Sequence, residues 1–115
     1  MRSIKDWCKY IATWRQKKGF ETKWKNITEK LMLTVTELSE AMEAFRHIDM
    51  YWSPTNNAYM PFKSEEYVEN FKEELCDATI RIFDLAGSLD IDLEKEIAKK
   101  MKINQGRPIK HGKNC

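Results

Sequence analysis

Ile27, Leu31, Val35, Leu38, Met42 and Phe45 recur at spacings of three and four residues. That period lays one apolar stripe along a helix and does not fit the alternation of a half-buried strand. Ile4, Trp7, Cys8, Ile11 and Trp14 repeat the pattern nearer the N-terminus, and Val68, Phe71, Leu75, Ala78, Ile82 and Leu85 repeat it later. Leu93, Ile97 and Met101 mark a fourth segment. With four glycines and three prolines in 115 residues, few tight turns are available. The sequence therefore predicts an all-α fold: a four-helix bundle-like arrangement in a single domain over residues 1–115.

The ends of these helices carry local signals. The first runs from about Ser3 to Lys18 and stops at Gly19. The second starts near Asn26, which with Glu29 resembles a capping box. Ser64 followed by Glu65 and Glu66 opens the third, with Gly87 and Ser88 as its expected end. Asp92 caps the fourth, and Gly106 and Pro108 terminate it. Residues 47–63 break the helical period and read as a long aromatic loop, which suggests a functional or partner-covered segment. Met32, Leu33 and Ala44 widen the apolar face of the second helix beyond its stripe. The expected consequence is burial against another subunit, so that a homodimer or homotetramer completes the fold.

Charge and cysteine content narrow the function classes. A formal net charge of +2 implies no nucleic-acid partner. Three cysteines without C-x-x-C spacing fit a reducing, cytoplasmic setting, with Cys76 expected as a small core residue. No apolar run is long enough to span a membrane.

Two short runs carry the chemistry. Glu37 and Glu40 lie three residues apart on the second helix, and Glu74 and Asp77 do the same on the third. Residues so spaced share one helical face. Each pair sits at the same offset from a leucine of its stripe, Leu38 or Leu75. Four carboxylates brought together repel unless a cation joins them. An all-oxygen donor set favours Mg²⁺, with Mn²⁺ as the alternative. A redox di-iron centre would need Glu-x-x-His pairs, and neither His47 nor His111 follows a glutamate by three. Glu73 and Asp84 are candidate outer partners of the site. The segment from Lys99 to Cys115 holds Lys and Arg but no acid, and it suits an anionic ligand.

Glu-x-x-Glu, then Glu-x-x-Asp, then Lys100-x-x-x-Asn104-x-x-Arg107 and Lys110-His111-Gly112-Lys113 resembles the MazG-like all-α nucleoside triphosphate pyrophosphohydrolases. The resemblance covers Leu31 to Arg46 and Glu74 to Lys113, about half the chain. The 33 residues between Glu40 and Glu74 exceed the gap usual in that family, and the excess falls in the aromatic loop. The resemblance implies hydrolysis between the α and β phosphates, giving a nucleoside monophosphate and pyrophosphate. It implies Mg²⁺ held by Glu37, Glu40, Glu74 and Asp77, one of the glutamates also accepting the proton of water. Lys100, Arg107 and Lys110 would contact phosphates, and Asn104 the sugar or base.

Among the aromatics, Trp7 and Trp14 are expected in the core, while Phe20, Trp24 and Trp52 are the candidates for stacking on a base. Two other readings fit the same residues. One is a phosphoribosyl-ATP-type pyrophosphatase. The other is a non-catalytic helical interaction module whose acids form a docking surface.

Overall fold

The computed structural model describes residues 1–108, so Lys110, His111 and Lys113 lie outside the described residues. The fold is mostly helical. Four α-helices follow in order, α1 (Ile4–Lys17), α2 (Ile27–Arg46), α3 (Glu65–Ser88) and α4 (Leu93–Gln105), with a small hairpin of β1 (Met50–Ser53) and β2 (Ala58–Pro61) between α2 and α3. No helix among the described residues is long and apolar enough to cross a membrane. The chain forms two compact units, one of Trp24–Ile82 and one of Met1–Lys23 with the chain from Phe83 onward.

In the terminal unit, α1 begins where Ser3 Oγ accepts a hydrogen bond from the Asp6 amide at 3.1 Å. Glu94 of α4 adds a second acceptor, taking the Ile4 amide at 2.9 Å. Amides that the first turn leaves without intrahelical partners are thereby satisfied. The helix closes as expected: Gly19 adopts φ +92° and the Phe20 amide reaches back to the Arg15 carbonyl at 3.0 Å. Asp92 caps α4 through the Lys95 amide at 3.1 Å.

The third helix ends at Ser88, as its sequence predicts, with Gly87 in its last turn, and Asp90, with φ 57°, makes the left-handed turn after it. A Cβ on Gly87 would collide with the Cys8 carbonyl oxygen and stand 2.8 Å from Ala12 Cβ. Glycine is there to let α1 and the end of α3 touch backbone to backbone.

Asp84 is buried beside this contact. It accepts from Thr22 Oγ1 at 2.6 Å and from Ser88 Oγ at 3.0 Å. Arg15 Nε stands 3.2 Å from Oδ2, the oxygen that Thr22 also bonds, an ion pair not aligned for a hydrogen bond. The Arg15 guanidinium also lies over the Phe20 ring at 4.5 Å. Burying a carboxylate is costly unless such partners surround it.

In the central unit, a 3₁₀ turn (Trp24–Asn26) leads into α2. Asn26 stands at the cap position, but its side chain makes no capping hydrogen bond. The expected loop contains the hairpin, with Tyr51 paired to Met60 and Trp52 to Tyr59. Its rings meet edge to face across the strands, Trp52 on Tyr59 at 5.2 Å and Tyr51 on Phe62 at 5.7 Å. Asn57 takes the positive φ that the turn requires. Ser64 fastens the hairpin's base: its hydroxyl accepts from the Asp49 amide and donates to the Phe62 carbonyl, both at 2.9 Å.

The buried residues of α2 are Thr34, Ala41 and Ala44, and Ala78 is buried on α3. Leu31, Val35, Leu38, Met42 and Phe45 are each about half exposed. The apolar stripe of α2 is thus not its most buried face. Small residues occupy that face, and Thr34 satisfies its own hydroxyl on the Lys30 carbonyl at 3.0 Å. Cys76 is exposed rather than in the core, and Trp7 and Trp14 are also substantially exposed.

Candidate functional site

Glu37 on α2 and Glu74 and Asp77 on α3 offer oxygens that all lie within 4.8 Å of one another. The i, i+3 spacing puts Glu74 and Asp77 on one face of α3, and the face of α2 that buries Ala41 and Ala44 also carries the half-buried Glu37. Arg81, one turn beyond Asp77, donates from Nε to Glu37 Oε1 at 2.9 Å. Both of these side chains are largely buried, at 25% and 13% exposure. Among the described residues this is the one ion pair made by the three acids.

Glu40 lies outside the converging trio but against Glu74. The Glu74 carboxyl is pushed up from 4.5 to about 7, first by the hydrogen bond it shares with Glu40, then by burial, then by the carboxyl of Glu37. Glu74 Oε2 is shielded from solvent and has no hydrogen-bond partner. With every acid ionised there is no donor for it; a proton, or a cation, supplies what is missing.

The other expected site residues are distributed over both units. Lys100 is exposed on α4, Asn104 is buried on α4 with its Oδ1 unpartnered, and Arg107 is half-buried just beyond the helix. These three belong to the terminal unit, whereas the acids belong to the central one. Trp24 is in the central unit, strongly exposed in the 3₁₀ turn. Asp84, expected as an outer partner of the acids, is instead bonded to Thr22, Ser88 and Arg15. Glu73 is exposed.

Beside the acids lies a cavity of about 420 Å³, lined by Glu40, Glu43, Ala44, His47, Tyr67, Asn70 and Glu74. The rings of His47 and Tyr67 stack at 5.0 Å with 23° between their planes. Glu43 pairs with Arg46 Nη1 at 3.0 Å and lies 3.5 Å from His47 Nε2. Sequence reasoning overlooked Arg81 as a partner of Glu37, and overlooked Tyr67 and Asn70 altogether. The signal was in the spacing: Arg81 follows Asp77 by four, and Tyr67, Asn70 and Glu74 recur at three and four along α3.

The chain matches no protein-family model, no curated protein and no solved structure.

Proposed function

We propose that this protein is a Mg²⁺-dependent nucleoside triphosphate pyrophosphohydrolase of the MazG-like kind. The observation that carries the reading is the convergence of Glu37, Glu74 and Asp77, with one shielded oxygen of Glu74 left without a donor. The donor set fits the ion: hard carboxylate oxygens from two helices, with no imidazole or thiolate in the group. Glu37, Glu74 and Asp77 would hold it, with Glu40 assisting through Glu74. A divalent ion there supplies Lewis acidity to water and offsets charge on the polyphosphate. Arg81 holds Glu37 in its orientation, as partners of metal-binding carboxylates do.

In this reading Lys100, Arg107 and Lys110 contact phosphates and Asn104 the sugar or base. Their assignment rests on the motif resemblance. The half-exposed apolar stripe of α2 supports a further part of the reading, that a second copy of the chain covers it in a homodimer or homotetramer. The reaction would release a nucleoside monophosphate and pyrophosphate.

The test is turnover of a panel of ribo- and deoxyribonucleoside triphosphates with Mg²⁺, following both products by chromatography. Asp77→Ala and Glu40→Ala should lose activity while keeping their helical circular dichroism. Full Mg²⁺-dependent turnover in both variants overturns the reading.

A further inference from the structure

We propose that the outer side of α1 is a docking surface for an anionic phospholipid bilayer. Trp7, Tyr10 and Trp14 enter the headgroup layer, and Arg2, Lys17 and Lys18 meet lipid phosphates. The acid cluster plays no part in this.

One side of α1 is accounted for by packing, since the Cys8 carbonyl and Ala12 face Gly87 of α3. Tyr10 follows Trp7 by three and Trp14 follows Tyr10 by four, so the three rings share a different side. Trp7, Tyr10 and Trp14 are 39%, 48% and 47% exposed. Lys17 and Lys18 stand three and four residues past Trp14, and both are exposed. Arg2 joins from the N-terminal end, its guanidinium 4.9 Å from the centre of the Trp7 ring and 4.0 Å from that of Tyr10. Asp6 is the one acid in the helix. Trp and Tyr beside long cationic side chains suit the boundary between headgroups and acyl chains, where a ring's apolar body and polar tip are both satisfied.

Charge names the kind of lipid. The formal net charge of +2 conceals a segregation: the terminal unit carries fourteen Lys and Arg against seven Asp and Glu, and the central unit six against eleven. An anionic bilayer attracts the first and repels the second.

Two rival occupants fit this side less well. Laid face to face, a second copy would crowd Arg2, Lys17 and Lys18 against their own counterparts, and lysine is depleted in protein interfaces. A nucleobase stacks on an open ring face. The Trp7 and Tyr10 planes stand 80° apart with Arg2 over both, so they present no common layer.

Flotation with vesicles tests the surface. The protein should float with vesicles of equal parts phosphatidylglycerol and phosphatidylcholine, and not with phosphatidylcholine alone. Lys17→Gln combined with Lys18→Gln should weaken the apparent affinity roughly twentyfold, about fivefold for each cation lost. Vesicles with brominated acyl chains should quench tryptophan emission. Trp7→Phe combined with Trp14→Phe keeps an aromatic ring at each position and leaves Trp24 and Trp52 as emitters, and should lose most of that quenching. No binding to anionic vesicles, equal binding to both lipids, or unchanged quenching in the double Phe variant overturns the proposal. Binding of single-stranded DNA without vesicle binding overturns it in favour of a nucleic-acid surface. Self-association in sedimentation that the double Gln variant reverses, again without vesicle binding, overturns it in favour of a second copy.

Discussion

The proton on Glu74 links metal affinity, fold stability and pH. Its carboxyl is held at about 7 in the folded chain against an ordinary value of 4.5, through the shared proton with Glu40, burial and the nearby Glu37. Below pH 4.5 the group is neutral whether the chain is folded or not. Between 4.5 and 7 the folded chain keeps a proton that the unfolded chain has released. Stability without metal therefore falls as pH rises through that window, and the loss is complete above 7. A divalent ion must displace the same proton. Glu74 is about nine-tenths protonated at pH 6 and about one-tenth at pH 8, so Mg²⁺ should bind roughly tenfold more weakly at the lower pH.

Calorimetry in two buffers of different ionisation heat measures both quantities. Release of about 0.9 proton per ion is expected at pH 6 and about 0.1 at pH 8. Glu74→Gln mimics the neutral acid. Without metal, its melting temperature should stay level from pH 5 to 7.5 while that of the unsubstituted protein falls. Equal Mg²⁺ affinity at the two pH values, with no proton released at pH 6, would refute the reasoning.

Two further outcomes follow from the ion pairs of Glu37 and Asp84. Arg81→Ala removes the cation that faces Glu37 at 2.9 Å, which should cost the metal-free protein about 1–3 kcal/mol and, by freeing Glu37 from its orientation, shrink the rise in melting temperature on adding Mg²⁺; thermal scans with and without the ion check this. Asp84→Asn keeps the shape of the buried network but leaves Arg15 without its counter-charge, and should cost roughly 3 kcal/mol or more in urea unfolding.

The helix ends were legible because their causes are local. Ser3, Gly19 and Asp92 act on amides and carbonyls within a few residues, and the structure uses each as its sequence position suggests. The start of α3 after Ser64 and its end at Gly87 and Ser88 were legible for the same reason, but the long-range contacts of these residues were not: Gly87 meets Cys8 and Ala12 from another helix, and the Ser64 hydroxyl bonds across the hairpin base to Asp49. The hairpin itself was hidden because its aromatic residues become informative only when Trp52 is set opposite Tyr59.

By itself the sequence determined four helical segments and two acid pairs at i, i+3, since periodicity and capping depend on neighbours along the chain. Tertiary structure decided which side of α2 is most buried, burying Thr34, Ala41 and Ala44 and leaving the leucine stripe half exposed. It also decided that Glu37, Glu74 and Asp77 converge, that Arg81 answers Glu37, and that His47, Tyr67 and Asn70 line one cavity. Spacing sets the face on which a side chain stands; the element that face meets is set by packing between segments far apart in sequence.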